Sequence, residues 1–230
     1  MNQKSATPKD ASAIILIKDG KVLWAQRNPN LKFLGGWHAF PGGKTEKSDT
    51  EIEVRNCQDK DLKQFIVSAV RECFEEVGVL LVKGGEKLTK GQRASLHDDL
   101  ISGRSSFKEI LDHWNLWIDA EDFVYTGYWT TPQFSPVRFK TRFFIAECPE
   151  KQTPYAAISE MQSPEFITPK DALTRWENSE VLISPPVLIS LQILAEEEIL
   201  SPDEHGFTQI KTDSKTKIQR PKTKDQILRV

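Results

Sequence analysis

Apolar residues fall into short runs early in the chain and into longer periodic stretches after about sixty residues. Residues 12–17 are β-branched and apolar. Lys18-Asp19-Gly20-Lys21 follows, and then a second apolar run over residues 22–27. Two such runs about an Asp-Gly pair predict a β-hairpin. Residues 28–43 are rich in Gly, Pro and Asn, which marks loops and tight turns. Residues 50–60 are polar and carry little periodic signal. From Leu62 the pattern changes. Leu62, Phe65, Ile66, Ala69, Val70 and Cys73 recur at steps of three and four, which predicts an amphipathic helix with Gly78 at its C-cap.

Residues 84–122 read as an inserted helical piece. Phe107, Ile110, Leu111, Trp114, Trp117 and Ile118 keep helical spacing there. Two tryptophans on such a stripe more often pack a core than bind a ligand. Strands are expected over residues 123–130 and 139–146. Residues 169–176 predict a helix with Thr168 as N-cap and Pro169 in its first turn. Ser184-Pro185-Pro186 opens another helix, expected to reach about Leu200. From Ser201 onward large apolar residues are few, and seven Lys or Arg face four Asp or Glu. The expected organisation is one domain over residues 1–200 and a polar, basic extension over residues 201–230.

Composition narrows the class. With 230 residues, 38% hydrophobic and 28% charged, the chain can bury a sizeable core. A net charge of -2 supplies no global field for nucleic acid or an anionic membrane. Cys57, Cys73 and Cys148 are a poor disulfide framework and favour a reducing compartment. The first residues lack a signal peptide's apolar stretch, the last three do not read as a peroxisomal address, and residues 13–17 are too short an apolar run to span a bilayer. A cytoplasmic protein is expected, with no membrane and no nucleic acid as partner.

The candidate chemistry lies on the helix after Leu62. Glu72, Glu75 and Glu76 are spaced by three and four, so their carboxylates share one face. Like charges at that spacing destabilise an isolated helix. A divalent cation would compensate directly, since Mg²⁺ prefers carboxylate and water oxygens. Arg71, four residues before Glu75, can pair with it or orient it. The plain alternative is a solvated acidic face. The context favours chemistry: Phe40-Pro41-Gly42-Gly43 lies upstream, and Gly78 with the apolar run 79–82 follows.

Arg71-Glu72-Cys73-Phe74-Glu75-Glu76-Val77-Gly78-Val79 resembles the catalytic helix of the Nudix hydrolases. The family pattern is Gly, five residues, an acid, seven residues, then Arg-Glu-apolar-any-Glu-Glu-any-Gly-apolar. Here Gly43 is followed by five residues and Asp49, where Glu is usual. The departure is the spacer: 21 residues separate Asp49 from Arg71, so about 14 must loop out. Three further stretches resemble the peroxisomal coenzyme A diphosphatases of animals and their bacterial relatives. They are residues 33–43, Trp129-Thr130-Thr131-Pro132 with residues 138–144, and Ser184-Pro185-Pro186. The resemblance covers roughly residues 12–194.

The resemblance implies an α/β (α+β) fold, a mixed β-sheet sandwiched between helices, with a small helical insertion over about residues 84–122. It implies an enzyme that hydrolyses a diphosphate linked to another moiety, with Mg²⁺ or Mn²⁺ as cofactor and a small nucleotide diphosphate as substrate. Coenzyme A or its acylated form leads. ADP-ribose, a dinucleotide or a nucleotide sugar is the alternative, and a non-catalytic nucleotide-binding module is a third. Such a module would be expected to lose box glutamates, and all three are present. Glu72 and Glu76 are the first candidates for metal ligands. Glu75 is a third ligand or orients the attacking water. Gly42 and Gly43 allow close backbone approach, and a carbonyl there would complete the metal shell. Glu160 is a candidate extra ligand or base, against an exposed loop acid. Arg27, Arg138 and Arg142 are candidate phosphate contacts, against plain solvent-facing arginines. Arg138, Lys140 and Arg142 would share a strand face. His38, His97, His113 and His205 show no metal spacing and are expected to be structural or superficial. A homodimer is a candidate assembly.

Overall fold

The computed structural model describes residues 6–156 and 160–196. The expected extension over residues 201–230, and the end of the last helix over residues 197–200, lie outside the described residues. Ten strands are present among them: β1 Lys9–Lys18, β2 Lys21–Arg27, β3 Trp37–Ala39, β4 Gly42–Lys44, β5 Val54–Arg55, β6 Ile118–Asp119, β7 Val124–Thr130, β8 Phe139–Glu147, β9 Met161–Ile167 and β10 Leu182–Ile183. Five α-helices accompany them: α1 Lys63–Val77, α2 Lys90–Ile101, α3 Phe107–His113, α4 Pro169–Glu177 and α5 Pro185–Glu196.

The hairpin forms as its residues dictate. Lys18 pairs with Lys21, leaving Asp19 and Gly20 as a two-residue turn with φ of 49° and 71°. Both central residues at positive φ define the turn whose twist matches the flanking strands. The main sheet has the order β10-β3-β2-β1-β8-β7, with β4 also on β1 and β9 also on β2. It is mixed: β1 and β8 run parallel through nine consecutive pairs, and β10 is parallel to β3. Strand β1 is buried along residues 11–17, which explains a near-continuous apolar run in place of alternation. Ile14, Leu16, Leu23, Phe144 and Ala146 meet the apolar side of α1 in one core cluster. Trp24 faces the other way, where Arg175 of α4 lies 5.4 Å over its ring. Helices therefore cover both faces.

Three local expectations need correction. The stretch 28–43 holds two short strands, β3 and β4, which are too short to show a period. The polar stretch 50–60 contains β5, which pairs in parallel with β6 through Val54 to Ile118 and Arg55 to Asp119. The insert's second helix ends at His113 and does not run on to Ile118. Asn115 turns into the left-handed region at φ 50°, which Asn tolerates better than most residues. Trp117 then bridges Lys83, and Ile118 enters β6. Of the two tryptophans, Trp114 packs against the core, while Trp117 carries the Arg55 guanidinium 4.1 Å above its ring.

Candidate functional site

Helix α1 positions the glutamates. Phe65, Ile66, Val67, Ala69, Val70, Cys73, Phe74 and Val77 are buried beneath it, which fixes its rotation about its own axis. Gly78 caps it at φ 68° and donates its N–H to the Phe74 carbonyl at 2.9 Å. The acidic face thereby turns toward the glycine turn at β4.

Two glycines there have separate jobs. A Cβ on Gly42 would overlap the Ser12 carbonyl and Ala13, so β4 lies against β1 only because that residue is Gly. Gly42 also donates its N–H to Glu76 Oε2 at 2.7 Å. A Cβ on Gly43 would overlap the carboxyl of Glu72. The Glu72 carboxyl thus fills the space that a side chain at position 43 would take.

Arg71 organises the rest. Its Nε and Nη2 donate to the two oxygens of Asp49 at 2.9 and 3.2 Å, its Nη1 donates to Glu72 and Glu75 at 3.0 Å each, and Nη2 also donates to the Lys44 carbonyl at 3.0 Å. Asp49 is 1% exposed. Despite the lengthened spacer, the acid of the pattern reaches the arginine of the helix in a bidentate pair. Burial works against the charge on Arg71, but the Asp49 hydrogen bond and the Glu72, Asp49 and Glu75 carboxylates outweigh it and hold the guanidinium protonated.

The carboxylates are left in surplus. Burial pushes the Glu72 carboxyl up to about 7, against the pull of Arg71. Burial likewise raises Glu75, again opposed by Arg71. Glu76, 2% exposed, is raised well above the ordinary carboxylate range by burial and then by the charge of Glu72. Arg27 and Glu160 are both near enough to bear on the charge of Glu76, the first favouring it and the second opposing it. The backbone brings them together, since Asn28 N–H donates to the Glu160 carbonyl at 2.8 Å and Arg27 pairs with Met161. Arg27 Nε is buried without a hydrogen-bond partner among the described residues.

Arg138 and Arg142 make contacts within the fold, and Arg142 Nη1 is, like Arg27 Nε, buried without a hydrogen-bond partner among the described residues. Arg138 donates to the backbone carbonyls of Thr131 at 2.9 Å and Ala6 at 2.7 Å. Arg142 stacks 3.5 Å over Phe65 and lies 3.6 Å from Asp10. Lys140 and Arg142 alternate onto one face of β8, whereas Arg138 precedes the strand. Lys140 itself lies 5.0 Å over the ring of Tyr128.

Among the described residues, no three acidic, His or Cys side chains converge closely enough to hold a cation by themselves. The donor set nevertheless suits a hard divalent ion. It offers buried and half-buried carboxylates in excess of the one arginine beside them, and a glycine turn that leaves room for Glu72. Mg²⁺ keeps several waters and takes one or two carboxylates, so a side-chain cage is not needed.

Two residues with a visible bearing on this site escaped the sequence reading. His97, expected to be structural or superficial, is 1% exposed, and its Nε2 lies 3.0 Å from the Glu75 carbonyl. Tyr155 packs over Gly78. Both contacts are distant in sequence and leave no local pattern.

A mixed sheet between helices, with an Arg-Glu-Glu-Glu helix set against a glycine turn, defines a Nudix hydrolase domain. The NUDT19 Nudix domain family model matches residues 55–194, and the chain belongs to that family. The chain is similar to "Putative nudix hydrolase 7" of Caenorhabditis elegans, 27% identical over 82% of this chain and 61% of that protein. It is also similar to "Acyl-coenzyme A diphosphatase NUDT19" of Homo sapiens, 24% identical over 81% of this chain and 63% of that protein. The chain thus spans about three fifths of the length of these curated relatives. A crystal structure of a NUDIX hydrolase from Alicyclobacillus acidocaldarius matches with a TM-score of 0.72 at 28% identity, covering 82% of this chain and 91% of that one. No helix among the described residues is long and apolar enough to cross a membrane.

Proposed function

We propose that the chain hydrolyses the diphosphate of a nucleotide-linked substrate of the coenzyme A or acyl-coenzyme A type, with Mg²⁺ or Mn²⁺ held by the box glutamates. The observation that carries this reading is the surplus of acid, with Asp49 and Glu76 buried and Glu72 and Glu75 half-buried. Asp49, Glu72 and Glu75 all bind one arginine, and Glu76 adds a fourth carboxylate that accepts from the Gly42 backbone N–H. Bare, that cluster would repel a diphosphate. The coenzyme A preference is supported by the printed name of the human relative.

In this reading Glu72 and Glu76, with Glu75, would hold the cation, and a carbonyl of the Gly42–Gly43 turn would be available to it. The bound cation supplies charge neutralisation at phosphorus and a lowered pKa of water. Arg71 keeps Glu72 and Glu75 aimed by donating one nitrogen to both. Arg27 and Arg142, each with a buried nitrogen that has no hydrogen-bond partner among the described residues, are the candidate donors to phosphate oxygens, and Arg27 also bears on the charge of Glu76. Glu160 is exposed beside Glu76 and is the candidate to take the proton of the attacking water. Water oxygen bonds to phosphorus, the P–O–P bridge breaks, and two phosphomonoesters leave. The cytoplasm is the proposed setting, consistent with three free cysteines, two of them buried.

The test is a substrate panel of coenzyme A, an acyl-coenzyme A, ADP-ribose, a dinucleotide and a nucleotide sugar, each with Mg²⁺ or Mn²⁺ and products identified. Release of 3′-phospho-AMP and a phosphopantetheine from the first two is expected. Glu76→Gln should cut that rate by at least about a hundredfold while the fold survives. Turnover of ADP-ribose alone would move the substrate assignment, and no turnover of any member would overturn the enzyme.

A further inference from the structure

The last turn of an α-helix has carbonyls with no amide ahead of them along the helix. In α1 that turn carries Glu75 and Glu76, so its orphan carbonyls are the backbone of the acidic face itself. Two of them are capped by distant parts of the chain. Tyr155 N–H donates to the Val77 carbonyl at 3.1 Å. His97, from α2 of the helical insert, meets the Glu75 carbonyl at 3.0 Å. A carbonyl can only accept, so Nε2 of His97 carries the proton.

The ring is held for this purpose. His97 lies edge-to-face against Phe74 at 5.3 Å and against Tyr155 at 5.6 Å. Tyr155 in turn covers Gly78, where any Cβ would overlap its ring. The segment bearing Tyr155 is clamped to the residues after α1. The Gln152 amide accepts from Leu80 N–H and donates to the Leu80 carbonyl, both at 2.9 Å. Gly78, Tyr155 and His97 thus form one stack, and the helix end that carries two of the three box glutamates is fastened by it.

We propose that His97 is a positioning residue: its hydrogen bond to the Glu75 carbonyl fixes the last turn of α1 and with it the aim of Glu75 and Glu76. The insert is then a support for the active helix as well as an elaboration of the fold. The consequence for catalysis rests on the glutamate reading above, whereas the positioning itself does not.

The two are separated by measuring both on the full chain. His97→Leu keeps bulk and removes the donor, while His97→Gln keeps an N–H at a similar reach. Amide hydrogen exchange at Glu76, Val77 and Gly78 should quicken in His97→Leu by about tenfold over that at Val67 and Val70, which corresponds to one net hydrogen bond. His97→Gln should stay within about threefold of the unaltered chain. Mn²⁺ affinity, read from the free-ion EPR signal, should weaken about tenfold in His97→Leu and be rescued in His97→Gln. Equal exchange in the two variants, or a wild-type ring protonated at Nδ1 and bare at Nε2, overturns the positioning role. If the unaltered chain binds no Mn²⁺, the metal reading of the glutamates fails, and the exchange data still decide the role of His97. Should His97→Leu not fold, His97→Asn, with its donor drawn back, takes its place in the same comparison.

Discussion

Two arginine–carboxylate clusters lie on opposite faces of the sheet, and they differ in what is left over. On the α1 face, Arg71 is buried and binds Asp49, Glu72 and Glu75, with Glu76 beside them. On the α4 face, Arg175 lies 2.7 Å from Glu165 and 3.8 Å from Glu180, and Glu165 also accepts from the indole N–H of Trp24 at 3.0 Å. The second cluster is about a third exposed at its arginine, and solvent screens its charges. In the first, Arg71, Asp49 and Glu76 are buried and Glu72 and Glu75 are half-buried, and the cluster holds more acid than its cation can neutralise. On the α4 face one arginine meets two exposed carboxylates, whose extra charge water screens, and the contact staples α4 to the sheet. A surplus that is largely shielded from water calls for an ion or a substrate to complete it.

The contrast can be tested at three levels. Arg71→Met would strand Asp49 in the core, at a cost of about 3–5 kcal/mol in denaturant unfolding. A loss below about 1 kcal/mol there would erase the difference between the clusters. The next effect is in pH. Because Glu72 titrates higher in the folded chain than in the unfolded one, the metal-free protein binds extra protons when folded between about 4.5 and about 7. Stability from this group is therefore complete below the lower value and lost as pH rises through the upper one. Melting temperature should fall across that window without metal and recover on addition of Mg²⁺, and Glu72→Gln should flatten both responses. A flat profile in the unaltered chain would contradict the surplus. The smallest effect is expected from Arg175→Ala, within about 1 kcal/mol and with little change in turnover. A larger loss of turnover would mean that the two faces communicate.

How legible these features were in sequence depends on their reach along the chain. Helix α1 is written locally, in the spacing from Leu62 to Cys73 and in Gly78. The hairpin is written in Asp19-Gly20, and the start of α4 in Thr168-Pro169, where the Thr168 hydroxyl accepts from Asp171 N–H at 3.1 Å. The spacing of Glu72, Glu75 and Glu76 marks an acidic face, and the turn at Phe40-Pro41-Gly42-Gly43, Gly78 and the resemblance of residues 71–79 to the Nudix helix give that face its role. Asp49 could be picked out but not paired, because its partner lies 22 residues on, beyond a stretch with no period. Arg142 falls on β8 but Arg138 just before it, and nothing in alternation tells that Arg142 would lie over Phe65 or that Arg138 would donate to two backbone carbonyls. Strands of two residues, such as β5 and β6, are shorter than the period needed to see them. The end of α3 was overrun because Trp117 and Ile118 continue its apolar spacing, while the residue that stops the helix, Asn115, is decisive only through its backbone angle.

The parallel pairing of β5 with β6 ties the lengthened spacer to the helical insert. Arg55 over Trp117 and the Asn56 amide on both oxygens of Asp119, at 3.0 Å each, repeat the tie in side chains. The spacer and the insert are therefore heritable only as a set. A lineage or a designer that trimmed the spacer to the usual seven residues would uncover Trp117 and Ile118. One that removed the insert would leave Val54 and Arg55 without a partner strand and would also remove His97 from the end of α1.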